Sequence, residues 1–302
     1  MFVRTLAQIS LLGLFATGSA LAGTAINQTR ALNVDGQVSI NNLKGRIVVR
    51  TWAQPQVRIT GTLGEGVEKL IVDGDARSLH IEVKYPQSHG WHLWGNDSRT
   101  EPSVIEVMLP QRASLDLDSV SADIDVQQMA GRKLVAETVS GEIRITASSP
   151  GEARLETVSG NMFLRITTAK VSVDSVSGDT DLQGGLTGDV RLESVSGDMR
   201  LVAGRVDSLS VDSVSGDASL QLNLTPTGSI KTDSVSGNVD LLVPATISAS
   251  LHVETFSGDI HSVVGTVTKE DGPGRILDAL LGDGQARIHL ETFSGDVIIK
   301  TH

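Results

Sequence analysis

The sequence has no cysteine, few aromatic residues and no long hydrophobic run. Without cysteine, the 302-residue chain forms neither disulfides nor thiolate metal sites, so its stability must come from packing and backbone hydrogen bonds. Aromatic residues make up only 3% of the chain whereas 31 residues are glycine, a profile that suits short strands and tight turns. No segment reaches about 18 consecutive apolar residues, so we expect no membrane span in the mature chain.

The charge and the motifs narrow the classes of function. The net charge of −11 disfavours nucleic acid and anionic lipid as partners. The sequence contains no phosphate-binding loop, dinucleotide fingerprint, zinc-protease helix motif or nucleophile elbow. We therefore predict no cofactor, no resident metal and no nucleic-acid partner.

Residues 1–22 have the three parts of a secretory signal peptide. Arg4 supplies the positive start, residues 6–14 form a short apolar stretch, and Ala20-Leu21-Ala22 is a small-residue cleavage site before Gly23. The sequence thus predicts an exported protein of the periplasm or cell surface.

A repeat of about 19 residues occupies the second part of the chain. Its motif is an acidic residue, Ser or Thr, Val or Phe, Ser, Gly, an acidic residue or Asn, and usually an apolar residue, as in Glu137-Thr-Val-Ser-Gly-Glu-Ile143. The steps between successive acidic positions are 19, 19, 18, 19, 19, 21, 21 and 37 residues. The nine acidic residues that open the copies are Asp118, Glu137, Glu156, Asp174, Glu193, Asp212, Asp233, Glu254 and Glu291.

Alternating apolar residues flank each copy, such as Leu115 and Leu117 before the first motif and Ile124 and Val126 after it. This alternation predicts two strands per copy, each with one buried face, joined by a bend at Ser-Gly-Asp. Glycine would give the bend an unusual backbone conformation, and the following Asp or Asn would cap its own backbone. We therefore predict an all-β, single-stranded β-solenoid (β-helix) whose stacked rungs bury a continuous core. An antiparallel sandwich is the main alternative.

Residues 23–112 also read as strands but lack the regular repeat. Residues 41–47, Asn-Asn-Leu-Lys-Gly-Arg-Ile, look like a degenerate copy of the motif. The predicted organisation is a signal peptide (1–22), an N-terminal β region of atypical rungs capping the solenoid (23–112), and the Ser-Gly-Asp repeat solenoid (113–302).

The repeats, together with Leu109-Pro110 before them and Gly282-Asp-Gly-Gln-Ala286 before the last copy, resemble the bacterial "putative adhesin" β-strand-repeat family, a domain of unknown function. The resemblance covers nearly all of the mature chain. It implies a β-helical fold and an envelope or surface location, and it carries no catalytic residue across.

The hydroxyl residues of the motif are predicted to be structural. Because side chains alternate between the two faces of a strand, the second and fourth motif positions, for example Thr138 and Ser140, are expected on the same buried side as the apolar residues. Stacked hydroxyls there would form hydrogen bonds along the solenoid axis. A nucleophile needs a unique base and an orienting acid, whereas these residues recur in every copy. The acidic residues face outward as a stripe, which is either a surface for cations or cationic ligands or a solvated face that hinders edge aggregation.

The chain is predicted to be a non-catalytic, adhesin-like structural or binding module whose partner is an envelope protein or a glycan. Two of the three tryptophans and the single tyrosine lie in the insertion 85–102, and Tyr85, Trp91 and Trp94 are the candidate ligand contacts. They could stack on sugar rings or pack as a local cap. A β-helical carbohydrate-active enzyme is a further alternative. His89 and His92 form a weak metal motif.

Two further expectations concern the C-terminal copies. His252 and Glu254 occupy the same motif positions as His289 and Glu291, so these four side chains would lie side by side as possible zinc ligands if the insertion 265–286 loops out. The last strand, 296–300, ends the chain. Either it leaves the C-terminal rung open for self-association or partner docking, or the insertion covers it.

Overall fold

The computed structural model describes residues 23–86, 100–269 and 272–302, and these contain strands, turns and bends but no helix. Within these ranges, no helical segment has the length and hydropathy that a membrane crossing requires. The prediction of an all-β chain is confirmed. Trp91, Trp94, His89 and His92 lie outside the described residues.

Twenty-three strands are present in the described ranges. The N-terminal strands are β1 (Thr24–Ala31), β2 (Gln37–Trp52), β3 (Gln56–Leu63), β4 (Lys69–Gly74), β5 (Ser78–Lys84) and β6 (Ser103–Pro110). The regular repeats form β7 (Ser114–Gln127), β8 (Lys133–Thr138), β9 (Ile143–Ser148), β10 (Glu152–Thr157), β11 (Met162–Ile166), β12 (Thr168–Ser175), β13 (Thr180–Gly184), β14 (Leu186–Ser196), β15 (Met199–Ser215), β16 (Ala218–Ser236) and β17 (Val239–Val243). The last strands are β18 (Ala249–Thr255), β19 (Ile260–Ser262), β20 (Thr266–Lys269), β21 (Arg275–Leu281), β22 (Ala286–Ser294) and β23 (Val297–Thr301).

Each repeat forms one rung from two strands and a bend, because its apolar residues alternate on either side of the motif. In β10, Ala153 and Leu155 are buried while Arg154 between them is exposed. In β11, after the bend, Met162 and Leu164 are buried in the same way. The inward side chains of all rungs join in one hydrophobic core that lies inside the coil.

Successive rungs stack in parallel and in register, so that each motif position lies beside its own counterparts. Glu156 pairs with Glu137 on one side and with Asp174 on the other. Adjacent strands of a sheet lie about 4.8 Å apart, so equivalent side chains recur at that spacing along the axis. The parallel stacking confirms the β-solenoid and excludes the antiparallel sandwich.

The C-terminal end is closed out of sequence order. The last rung, β22 with β23, lies between β16 with β17 on one side and β18 with β19 on the other. Beyond it, β21 pairs antiparallel with β18, and β20 pairs antiparallel with β21. The expectation that the final rung could be left open is wrong, because β23 has a hydrogen-bonded neighbour on each side. The insertion 265–286 does not cover the final strand either: β18 and β19 cover the last rung, and the insertion strand β21 covers β18 at the end of the solenoid.

The N-terminal end is closed in a similar way. Most of β2, from Gln37 to Val49, pairs in parallel with β7, and its Gly45 lies opposite Ala122 of the first regular copy. Residues 41–47 are thus a degenerate copy, as predicted. Outside β2, β5 and β6 form a further rung, which β4 and β3 cover in antiparallel pairs, with β1 outside β3. That residues 23–112 form a unit distinct from 113–302 stays a prediction.

Candidate functional site

The bend of each rung is held by the hydroxyl of the second motif position. This side chain is buried, and its oxygen accepts a hydrogen bond from the N–H of the glycine three residues later, at 3.0 Å for Thr138 and Gly141 and at 2.8 Å for Thr157 and Gly160. The hydroxyl therefore replaces the strand hydrogen bond that the bend interrupts. Ser175 makes the same contact, as does Ser119 with the N–H of Ala122, whereas Ser194, Ser213 and Ser234 donate to the carbonyl oxygen of the glycine three residues later. Such bend contacts are expected of a structural role.

The serine of the fourth position is exposed, so the prediction that it faces inward is wrong. The alternation of inward and outward side chains ends at the bend, so it no longer predicts which way a side chain faces beyond the third position. Ser140 instead donates from outside to the carbonyl oxygen of Val120 in the preceding rung, at 3.2 Å, and Ser159 donates to that of Val139 at the same distance. These hydroxyls do bond along the solenoid axis, but at its surface.

The sixth position also joins neighbouring rungs. The N–H of Asp198 donates to Oδ1 of Asp179 at 3.0 Å, and the N–H of Asp217 donates to Oδ1 of Asp198 at 3.0 Å. The expectation that this side chain caps its own backbone is wrong, since it caps the N–H of the next rung. Oδ1 of Asn238 accepts a hydrogen bond from the N–H of Asp296, and Oδ1 of Asp296 accepts one from the N–H of Asp259. These hydrogen bonds follow the order in which the last rungs stack, which differs from their order in the sequence.

The third position forms a row of exposed apolar side chains along the bends, here called the apolar row. Its valines are 44–51% exposed and its two phenylalanines 50% and 57%. Phe256 and Phe293, from adjacent rungs, stack with ring centroids 4.9 Å apart. The members of the apolar row are Val120, Val139, Val158, Val176, Val195, Val214, Val235, Phe256 and Phe293.

A groove runs along the solenoid between the apolar row and the nine acidic residues of the first position, here called the acidic row. This bend groove has a volume of about 900 Å³ and is lined from Asp118 at one end to Glu291 and Phe293 at the other. Buried hydroxyl residues of the second position line it between the two rows. Seven successive rungs, from that of Glu137 to that of Glu291, thus each contribute one carboxylate and one apolar side chain to a single continuous surface.

Residues 37–300 match the family described as Toastrack DUF4097. This chain belongs to the Toastrack DUF4097 family. The family has a β-solenoid fold, as the stacked rungs do here, and the resemblance inferred from the repeats is confirmed.

Solved structures similar to this Toastrack chain share little of its sequence. A putative adhesin from Parabacteroides distasonis has 13% identity and a TM-score of 0.48, with 93% of this chain and 98% of that one covered. A putative adhesin from Bacteroides fragilis has 11% identity and a TM-score of 0.38, with 92% and 97% covered. A putative cell adhesion protein from Clostridium sporogenes has 8% identity and a TM-score of 0.22, with 92% and 100% covered. No curated protein matches the chain.

Basic residues two positions earlier neutralise part of the acidic row. Side chains of the same strand pair as Arg154 with Glu156, Arg191 with Glu193 and Lys231 with Asp233. Asp118, Glu137 and Asp174 instead follow Asp116, Val135 and Ser172, none of which is basic.

These three carboxyls have a raised pKa. The first cause is loss of hydration in the groove, and the second is repulsion from neighbouring carboxylates, such as Glu156 for Glu137 and Glu193 for Asp174. The Toastrack groove therefore holds negative charge that its own basic residues leave uncompensated at these rungs.

Tyr85, one of the three candidate ligand contacts, lies half-buried against the core at the base of the insertion. Its hydroxyl donates to Oδ1 of Asn42, at 3.0 Å, or to the carbonyl oxygen of Lys44, at 3.1 Å, and it lies 3.4 Å from Oγ of Ser103. Burial raises the pKa of the Tyr85 hydroxyl. These contacts support the wall of the rung, and a ligand contact by Tyr85 stays a prediction, as do those by Trp91 and Trp94.

The structure brings His252 beside His289 and Glu254 beside Glu291, as expected if the insertion loops out. The two imidazole rings stack with centroids 5.1 Å apart and planes 5° from parallel.

The apolar row, in contrast, was not recognised from the sequence as a surface. The signal was present, because a Val or Phe occupies the third position of every copy between two hydroxyl residues.

Proposed function

We propose that this protein is a non-catalytic binding module exported to the bacterial envelope, and that its bend groove binds an extended segment of another envelope protein carrying basic and apolar residues. Export is supported by the signal-peptide pattern of residues 1–22. The Toastrack family match supports the solenoid that carries the groove.

The observation that carries the proposal is the apolar row. Isolated apolar residues are common on protein surfaces, but a contiguous exposed apolar surface marks an interaction site. Nine rungs each place a half-exposed Val or Phe at the same point of the bend. The hydrogen bonds that hold the bend are made by the second, fourth and sixth positions, so the exposed side chain of the third position takes no part in them.

Charge complementarity gives the chemistry of the partner. The acidic row lines the other side of the groove, and Asp118, Glu137 and Asp174 have raised pKa values because of lost hydration and like-charge neighbours. Lys or Arg side chains of a ligand would relieve this repulsion. Its apolar side chains would cover the valines opposite.

The repetition of the groove supports binding rather than catalysis. Its hydroxyls are engaged in bend contacts, for example Ser175 with the N–H and the carbonyl oxygen of Gly178, both at 3.0 Å. An active site requires groups with distinct roles, whereas every rung offers the same set.

A labelled synthetic peptide of alternating Lys and Val tests the proposal by fluorescence anisotropy. We expect saturable binding to the mature protein, and about tenfold weaker binding when Val176 and Val195 are both replaced by Ser, since part of the apolar contact is lost. A Lys-Ser peptide of equal charge should bind more weakly than the Lys-Val peptide to the unmodified protein.

The matched control replaces Val34 and Val104 by Ser, because these valines are 47% and 40% exposed but lie outside the groove. Affinity equal to that of the unmodified protein is expected for this variant. The proposal is wrong if the two double variants behave alike, or if the Lys-Ser peptide binds as tightly as the Lys-Val peptide.

A further inference from the structure

The out-of-order closure of the C-terminal end places chemically distinctive side chains from three rungs side by side. On the outer face, Lys231 of β16, His289 of β22 and His252 of β18 form one row. Asp233, Glu291 and Glu254 of the same strands form the next. Two in-register histidines beside three carboxylates occur at this closure and at no other rung among the described residues.

Three of these side chains are already close enough to share an ion. Ligand atoms of Asp233, His289 and Glu291 lie within 4.8 Å of one another. His289 Nε2 is 3.7 Å from Glu291 Oε2. A small change of side-chain torsions brings such atoms to the 2.0–2.2 Å metal distances typical of imidazole and carboxylate ligands.

His252 lies next to these three side chains but outside the set within 4.8 Å, and it is the neighbour that would complete the site as a fourth ligand. Its ring stacks on that of His289, and its Nδ1 lies 2.7 Å from Oδ1 of Asp278 on the covering strand β21. A proton held on Nδ1 by this carboxylate leaves the lone pair on Nε2 free. That is the carboxylate–histidine arrangement commonly found behind zinc ligands.

We propose that these residues form a zinc site, with His289, Glu291 and Asp233 as ligands, His252 as the fourth ligand and Asp278 as a positioning residue. Mixed nitrogen and oxygen ligands suit zinc, whereas calcium and magnesium prefer oxygen alone. Zinc binding has an energetic cost, because the ion must displace the Lys231 ammonium group from its ion pair with Asp233.

The proposed zinc ties together strands that are distant in sequence. The proposed ligands come from three separate strands: Asp233 from β16, His252 from β18, and His289 with Glu291 from β22. Strand β22 lies between the other two strands. An ion held by all three strands stabilises only the closed arrangement, so zinc should raise the melting temperature of the protein.

The test is calorimetric titration of zinc chloride into the mature protein, without an affinity tag, in a non-coordinating buffer at pH 7.5. We expect one zinc per chain and a zinc-dependent rise in melting temperature. His289→Gln and His252→Ala should each weaken binding at least tenfold and abolish the rise. Asp278→Asn should weaken binding by about tenfold through loss of orientation.

His80→Gln is the matched control. His80 also precedes a glutamate by two positions, with its Nε2 3.7 Å from Glu82 Oε2, and it faces Asp73 of a covering antiparallel strand. Its neighbour on β2 is Ser39, however, so the second imidazole is missing. We expect this variant to bind zinc as the unmodified protein does.

The proposal is overturned if no zinc binds, if zinc binds without raising the melting temperature, or if His80→Gln weakens binding as much as His289→Gln. Circular dichroism shows whether each variant keeps the fold, and the exposed position of Asp278 makes Asp278→Asn the variant least prone to misfold. The outcome is independent of peptide binding in the groove.

Discussion

The glycine of the motif is required mainly because rungs approach closely at the bend. Of the repeat glycines, which all lie in the described residues, only Gly216 has a positive φ, at 146°. At Gly197, a Cβ atom would lie 2.5 Å from the carbonyl oxygen of Gly178 in the preceding rung. The sequence therefore indicated the right residue. The predicted reason, an unusual backbone conformation, applies at Gly216, whereas steric crowding between rungs is the more general reason.

Gly197→Ala should lower the free energy of unfolding by more than about 1 kcal/mol, because the added Cβ pushes two rungs apart. Gly204→Ala is the control, since a Cβ there would have its nearest neighbour, Leu186 O, at 4.0 Å. That change should leave stability within about 0.5 kcal/mol or raise it slightly. Urea unfolding of both variants measures the difference, and equal stabilities would show that the glycine is only tolerated.

The acidic row gives a prediction at the same scale. Desolvation, followed by repulsion from Glu156, raises the pKa of Glu137, so the folded state binds its proton more tightly than the unfolded state. Stability from this group is therefore present below its ordinary pKa and is lost as the pH rises through the raised value. Glu137→Gln should stabilise the protein at pH 7 by a few tenths of a kcal/mol, with the gain disappearing below about pH 4.

Glu142→Gln is the control for this charge effect, because Glu142 pairs with Arg144 and is not one of the carboxylates that repel Glu137. Thermal unfolding between pH 4 and pH 8 should show a gain at neutral pH for Glu137→Gln and none for Glu142→Gln. A gain of the same size in both variants would mean that the net charge, rather than the local environment, sets the effect.

At the scale of elements, the two-strand rung could be predicted from the sequence, whereas the order of the last rungs could not. Alternating apolar residues on both sides of each motif indicate two strands and a bend. Copies with the same motif present nearly the same edges, however, so the motif does not say which copy stacks on which. The order depends on how the segment 265–286 folds back as β20 and β21, and no local pattern of those residues specifies it.

The covering strand β21 makes a prediction of its own. Leu277 of this strand is fully buried against the core, while Leu280, three residues later, is 71% exposed. Leu277→Ala should destabilise the protein by about 2–4 kcal/mol because it leaves a cavity at the end of the core. Leu280→Ala should change stability by less than about 0.5 kcal/mol. Similar losses in chemical unfolding would contradict the described position of β21.

At the scale of the whole molecule, the fold class and the family could be recognised from the spacing of the motif, but the binding surface could not. Strand alternation predicted that the fourth-position serines face inward. That prediction failed because the bend interrupts the alternation between Thr138 and Ile143. The third-position Val or Phe faces outward beside the acidic row, as strand alternation predicts, but the row that these side chains form was not recognised as a surface. The acidic stripe was predicted, and one of its two interpretations, a surface for cationic ligands, is the one now proposed.

Export makes a further prediction for the whole chain. If residues 1–22 are a signal peptide, protein purified from the envelope should begin at Gly23. Intact-mass spectrometry measures this directly. An intact Met1 on envelope-purified protein would contradict it.

The central claim is that the bend groove is the binding surface, and the apolar row allows this to be measured at each rung. With valine methyl groups labelled by carbon-13, nuclear magnetic resonance spectra can be recorded during titration with the Lys-Val peptide. The account predicts that methyl signals of Val158, Val176, Val195 and other valines of the apolar row shift on binding. Those of Val34 and Val104, equally exposed but outside the groove, should not shift. Shifts spread evenly over exposed valines, or shifts confined to valines outside the groove, would contradict the account.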